Sequence, residues 1–110
     1  MRYKKTIGNS GEDFAARVLE ESGYQIVERN YSTRYGEIDI IALKDGVLHF
    51  IEVKTRTSDE YGYPAEAITD VKIRHIRRTA ECYMLRRKSF WRSISFDVFE
   101  VMTDLILDCM

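Results

Sequence analysis

Cysteine, proline and histidine are scarce in this 110-residue chain, at two, one and two residues. Cys82 and Cys109 stand alone, with neither a C-x-x-C spacing nor histidine neighbours, so neither a disulfide framework nor a thiolate metal site is indicated. Reduced thiols are the expectation. No segment has the uninterrupted apolar length of a membrane span, and the N-terminal MRYKKTIGNSGEDF has basic residues but no apolar stretch of a signal peptide. A cytoplasmic location without membrane contact follows as an expectation. An excess of one charge is missing too: the formal net charge is -1, which alone does not suggest a nucleic-acid binder. There is no internal repeat or low-complexity segment. With 45% hydrophobic and 32% charged residues, the composition is that of an ordinary globular protein, and the length suits a single domain over residues 1–110 with one modest core.

What is present centres on Tyr35 to Arg56, YGEIDIIALKDGVLHFIEVKTR. Two β-branched and aliphatic runs, Glu37 to Leu43 and Val47 to Arg56, flank Asp45-Gly46, a strong hairpin signal. With Asp45 and Gly46 as the loop of a type I′ turn, Lys44 faces Val47. Continuing outward, Asp39 lies opposite Glu52 in a non-hydrogen-bonded pair, with Cα atoms about 4.5 Å apart. Leu43, Leu48, Ile41 and Phe50 form the apolar part of that face. Glu37, Lys54, Tyr35 and Arg56 continue it outward. Ile38, Ile40 and Ala42 meet Val53, Ile51 and His49 on the other, so the hairpin reads as buried on both sides.

Like charges directly opposite in a sheet are destabilising, and a half-buried carboxylate resists ionisation unless a cation or hydrogen-bond donors stabilise it. A hard divalent cation answers both problems: it takes carboxylate oxygens, lowers the pKa of bound water and stabilises charge on a transferring phosphate. Lys54, two residues beyond Glu52 on the same face, would serve as electrophile or general base. The competing interpretation is a structural charge ladder in which Lys54 and Arg56 neutralise Glu37, Asp39 and Glu52.

Along the chain, residues 1–8 read as a basic arm. Asn9 or Ser10 caps a helix ending near Ser22, with Gly23 as its stop. Glu12, Ala15 and Leu19 share one stripe of that helix, with Val18 adjoining. Glu12 is therefore either a third carboxylate of the site or the acid of a capping box with Asn9. Tyr24 to Tyr31 reads as a strand, Ser32-Thr33-Arg34 as a turn, and Thr57 to Pro64 as a polar loop near the charged end of the sheet.

Pro64 can open a helical turn, and Thr69 or Asp70 can cap a helix to about Arg87. Its buried stripe is Ile73, Ile76, Ala80, Tyr83 and Met84, and Lys72 extends that stripe toward the carboxylates or snorkels to solvent. Arg74, Arg77, Arg78, Arg86, Arg87, Lys88 and Arg92 follow, opposed in that segment only by Glu81. This is either a solvated helix face or, with Phe90 and Trp91 beside it, a surface for a polyanionic backbone. Trp91 to Val101 alternates as a strand with Ile94, Phe96 and Val98 on one face and Asp97, as hydrogen-bonded structure, on the other. DLILDCM from Asp104 is an edge strand or a short helix.

The order helix, three strands, helix, strand, with G-E-I-D at Gly36 to Asp39 and E-V-K at Glu52 to Lys54, resembles the PD-(D/E)XK nuclease superfamily. Within it, the chain looks like the small bacterial YraN-like family and is similar in layout to archaeal Holliday junction resolvases. Gly11-Glu12, Arg29-Asn30, Thr55-Arg56, Tyr61-Gly62, Lys72 and Phe96-Asp97 also carry the resemblance. Ile38 stands where the superfamily has a proline, and the C-terminal stretch looks short for the family. The resemblance implies an α/β restriction-endonuclease-like core, a mixed central sheet flanked by helices. It implies a metal-dependent endonuclease acting on DNA, in branched or structured form. Asp39, Glu52, Glu12 and the Val53 carbonyl would hold Mg2+ or Mn2+, with Lys54 positioning water. Lys72, Arg56, Arg74, Arg77, Arg78, Arg86 and Arg87 are the candidate nucleic-acid contacts, and a homodimer is the analogous assembly. The alternative is a non-catalytic nucleic-acid-binding or accessory module that keeps the nuclease core.

Overall fold

The computed structural model describes residues 2–56, 69–87 and 91–102, with backbone alone over residues 2–9. The elements are α1 (Arg2–Glu21), β1 (Gln25–Thr33), β2 (Gly36–Lys44), β3 (Val47–Arg56), α2 (Asp70–Arg86) and β4 (Ser93–Met102). This is the expected α/β order. The first helix, however, starts at Arg2 rather than at an Asn9 or Ser10 cap, so the expected basic arm is helical from residue 2 to residue 8. Glu12 then sits well inside the helix, where a capping-box role is impossible. The helix stops as expected: Gly23 takes φ 95°, and Tyr24 N–H closes back on the Leu19 carbonyl at 2.9 Å.

The sheet order is β1-β2-β3-β4. The first three strands are antiparallel, and β4 runs parallel to β3 after crossing through α2, because a parallel return needs a long connection. Asp45 and Gly46 have φ of 51° and 79°, the positive values a type I′ turn requires, and Lys44 pairs with Val47.

The helices cover opposite faces. Ala15, Ala16 and Leu19 of α1 pack on Ile40, Ala42, Ile51 and Val101. Ala80 and Tyr83 of α2 pack on Ile38, Ile41, Leu48 and Phe50, with Tyr83 edge-on to Tyr31 and Phe50. Ile38 therefore lies on the α2 side and not, as alternation suggested, with Ile40 and Ala42. The strand changes face past Ile40.

On α2, Thr69 is the N-cap, its hydroxyl accepting the Lys72 N–H at 3.2 Å. Ile76, Ala80, Tyr83 and Met84 face the core as expected, but Ile73 is 39% exposed. Thr79 is fully buried instead, its hydroxyl donating to the His75 carbonyl at 2.9 Å and lying 3.2 Å from Thr33 Oγ1. Ile94, Phe96 and Val98 share a face of β4 and remain partly exposed, β4 having only β3 beside it among the described strands. Among the described residues no helix is long and apolar enough to cross a membrane. The expected loop at Thr57 to Pro64, Tyr61-Gly62, the turn at Pro64, Lys88, Phe90 and the stretch from Asp104 fall outside the described residues.

Candidate active site

Regular pairing of β2 with β3 runs from Lys44–Val47 to Ile40–Ile51 and ends there. The expected Asp39–Glu52 pair is one step beyond the last rung. Had the ladder continued, Val53 N–H would have met the Ile38 carbonyl. Instead Asp39 Oδ2 accepts that N–H at 2.8 Å. A side-chain oxygen thus replaces a backbone acceptor where Ile38 has turned to the other face, and it anchors the Asp39 carboxylate beside the Glu52–Val53–Lys54 segment.

Burial pushes the Asp39 carboxyl up to about 6, and the negative charges of Glu12, Glu37 and Glu52 push it the same way against the Val53 hydrogen bond. Four carboxylates from α1, β2 and β3 are thus electrostatically coupled around Asp39. Glu37 is held from the neighbouring strand by the Ser32 hydroxyl at 3.2 Å.

Glu12 enters this group because α1 comes very close to β3. A Cβ on Gly11 would lie 2.7 Å from Thr55 Oγ1, so any larger residue there must displace either the helix or that side chain. Burial raises the Glu12 carboxyl, and Arg29 and the Asn30 side chain lower it. Arg29 Nη2 lies 3.6 Å from Glu12 Oε1 and 2.7 Å from Asp13 Oδ1. Asn30 itself takes φ 54°, a left-handed conformation asparagine tolerates, at the point where β1 changes face opposite β2.

Glu52 projects toward α2, where Lys72 Nζ lies 2.9 Å from its Oε1. Of the two alternatives open for Lys72, the structure has the one that reaches a carboxylate. Lys54 follows two residues later on the same strand, in parallel register with Glu100 of β4. Between α2 and β4, beside Glu52, is an apolar cavity of roughly 290 Å³ lined by Phe50, Ile73, Ile76, Phe96 and Val98, with Arg77 and Glu37 at polar positions.

The donor set matches a hard divalent cation: it is made of oxygens, and two of them, Glu12 Oε1 and Glu52 Oε2, are buried without a hydrogen-bond donor. As the side chains stand, however, no three Asp, Glu, His or Cys groups among the described residues are close enough to enclose an ion. Arg29 and Lys72 sit at two of the acids.

The basic residues divide. Arg74, Arg77, Arg78 and Arg86 are exposed on α2. Arg87 lies over the Tyr83 ring and 3.7 Å from Glu28. Arg56 does not reach the surface expected of a phosphate contact: its side chain is 14% exposed and its Nε lies 3.0 Å from Glu100 Oε2. Tyr35, expected opposite Arg56, is in the β1–β2 turn against Arg34 and Arg78. Asp97 has the expected structural role, bonded to His49 Nδ1 at 2.6 Å and to Ser95 Oγ at 2.9 Å.

Sequence reasoning did not give Arg29, Arg34 or Tyr35 a site role. Arg29 was accessible through its adjacency to Asn30 within the family-like features. Arg34 and Tyr35 meet in sequence, and Arg78 joins them only in the folded chain because α2 brings it from a distant part of the sequence.

The profile described as "Uncharacterised protein family UPF0102" matches residues 11–101. A UPF0102 protein of Caldicellulosiruptor saccharolyticus is 47% identical over 98 residues, 89% of this chain and 83% of that relative. One from Clostridium perfringens is 46% identical over 91% of this chain and 82% of the relative, and one from Rhodococcus opacus 44% identical over 93% and 86%. The matched span takes in every acid of the site, from Glu12 to Glu52.

Proposed function

Since the chain belongs to the uncharacterised protein family UPF0102, we propose, from the clustered acids together with the resemblance of its G-E-I-D and E-V-K motifs to nucleases, that it is a metal-dependent endonuclease. Its substrate is DNA, in branched or otherwise structured form, and its superfamily the PD-(D/E)XK nucleases. The observation that supports this best is Asp39: an acid pushed up to about 6 amid three others, with one buried oxygen each on Glu12 and Glu52 that accepts no hydrogen bond although Arg29 and Lys72 stand nearby as counter-charges. Burial is the main cause of the Asp39 shift, and a bound cation would offset both that cost and the repulsion of the neighbouring acids.

Asp39, Glu52, Glu12 and the Val53 carbonyl would hold Mg2+ or Mn2+. When bound, the ion supplies Lewis acidity and a lowered pKa for water. Lys54 orients the attacking water, whose oxygen adds to phosphorus as the ester P–O bond breaks to leave a phosphate monoester and a hydroxyl. Asp39 also holds β3 in place through Val53. Lys72 and Arg29 are the counter-charges of Glu52 and Glu12 in the metal-free protein. The exposed arginines of α2 track the backbone, and two copies of the chain act together on a cytoplasmic DNA substrate.

The test is a cleavage panel of linear duplex, single-stranded, flapped and four-way DNA with added manganese. Hydrolysis should disappear with a chelator and in Asp39→Ala, Glu52→Ala and Lys54→Ala proteins. A second interpretation, a non-catalytic nucleic-acid-binding module, is favoured by the cations already seated at Glu12 and Glu52. Salt-sensitive DNA binding with no cleavage of any substrate in any metal would decide for it.

A further inference from the structure

The β1–β2 turn carries a cluster that the acids do not use. Arg34 Nη2 donates to the Tyr35 hydroxyl at 2.9 Å, and its guanidinium carbon lies 5.0 Å from the centre of the Tyr35 ring. Arg78, from α2, lies 5.6 Å from the same ring. Both arginines are exposed, and neither is in an ion pair among the described residues. Arg29, Arg56 and Arg87, by contrast, stand beside carboxylates. Arg34 and Arg78 present their charge beside an aromatic face.

The cluster is held in place. Tyr35 N–H donates to Thr33 Oγ1 at 3.1 Å, and Thr33 Oγ1 is 3.2 Å from the buried Thr79 hydroxyl of α2, so the turn is tied to the helix that supplies Arg78. From Tyr35 the chain enters β2 and reaches Asp39 four residues later. At strand rise that is about 13 Å, or some four stacked nucleotides at ~3.4 Å each.

We propose that Arg34, Tyr35 and Arg78 clamp an unpaired nucleotide of a DNA strand, the guanidiniums on its phosphate and its base stacked on the Tyr35 ring in place of one of them. A paired base keeps its faces inside the duplex, so an aromatic platform of this kind takes only a base out of the stack. The clamp thus selects DNA with a single-stranded segment next to the scission point. It rests on the nuclease reading for its position but not for its measurement.

The measurement is fluorescence anisotropy on the metal-free protein, with a labelled thymidine oligonucleotide and a blunt duplex of equal length. The native protein binds the single strand more tightly. Tyr35→Ala weakens single-strand binding about 5- to 100-fold and leaves the duplex unchanged, and Tyr35→Phe retains it. Arg78→Met weakens both and lowers the salt slope by about one. An unaltered thermal melt shows that these surface variants fold. No effect of Tyr35→Ala, or an equal loss on duplex, overturns the clamp. Tyr35-dependent binding with no cleavage in manganese upholds the clamp and overturns the nuclease reading, and cleavage indifferent to Tyr35 does the reverse.

Discussion

Lys72 Nζ stands 2.9 Å from Glu52 Oε1, joining the first turn of α2 to the third strand, while the other Glu52 oxygen is buried with no donor. The lysine therefore balances the charge of Glu52 and satisfies only half of its hydrogen-bonding capacity. Replacing it with methionine keeps the aliphatic stem and removes the ammonium. For a pair with a partly exposed lysine, the loss in metal-free protein at neutral pH is about 1 kcal/mol, read from urea unfolding. Manganese restores more stability to Lys72→Met than to the native chain, because the unpaired acid binds the cation without a competitor. An equal manganese response in both proteins would show that Lys72 does not share the cation's position.

Asp39 makes stability depend on pH in the direction opposite to an ordinary salt-bridged carboxylate. Its carboxyl titrates near 6 in the folded protein, against 3.8 for the free group. Between those values the folded state holds a proton that the unfolded chain has released, so this group favours folding below about pH 4 and loses that contribution as pH rises through about 6. Metal-free protein should lose stability across this window. Asp39→Asn, which can still accept the Val53 N–H, should flatten the slope, and manganese should raise stability above pH 6 in the native chain alone. Thermal melts at pH 4 to 8, with and without manganese, measure all three.

Asp39 and Glu52 were legible in the sequence because they flank a turn whose geometry is local. Asp45-Gly46 sets the pairing of Lys44 with Val47, and every rung to Ile40–Ile51 follows. The expectation fails where the constraint stops being local. Ile38 turns toward α2, Asp39 takes over the acceptor role of its carbonyl, and Arg56 finds Glu100, a partner set by the parallel register of a strand that returns only after α2. The beginning of α1 was missed for a different reason. Residues 2–8 offer a single apolar pair at helical spacing, Tyr3 and Ile7, amid three basic residues, whereas the buried Ala15 and Leu19 belong to a longer stripe.

Gly11 should be among the least replaceable residues of the first helix. A Cβ there meets Thr55 Oγ1 at 2.7 Å, a contact that forces α1 away from β3 or rotates a β-branched side chain. Gly11→Ala should destabilise by about 1–3 kcal/mol, despite alanine's better helix propensity. Thr55→Ala removes the obstructing oxygen and leaves a Cβ at 3.8 Å, an ordinary contact, so the double variant should regain most of the loss. Chemical denaturation of the four proteins of this cycle gives the coupling. If the two effects simply add, the close approach is not what requires glycine.

On the opposite side of the sheet from α2, His49 and Asp97 hold the edge strand to the third strand. The imidazole is only 16% exposed, its Nδ1 is 2.6 Å from Asp97 Oδ2, and Ser95 binds the second carboxylate oxygen. Asp97→Ala leaves a largely buried ring nitrogen without a partner, which should cost about 1–3 kcal/mol. His49→Phe keeps contact with Tyr24, whose ring meets the imidazole edge-on at 5.1 Å, but leaves Asp97 with Ser95 alone. Because Asp97 is more exposed than His49, water can serve the carboxylate, so the histidine variant should lose less than the aspartate variant. Both should speed amide exchange in β4 ahead of β1, since the lost contact joins β4 to β3 while β1 is held by its own ladder to β2. Uniform acceleration across the sheet would mean that the pair supports the whole fold rather than the attachment of its last strand.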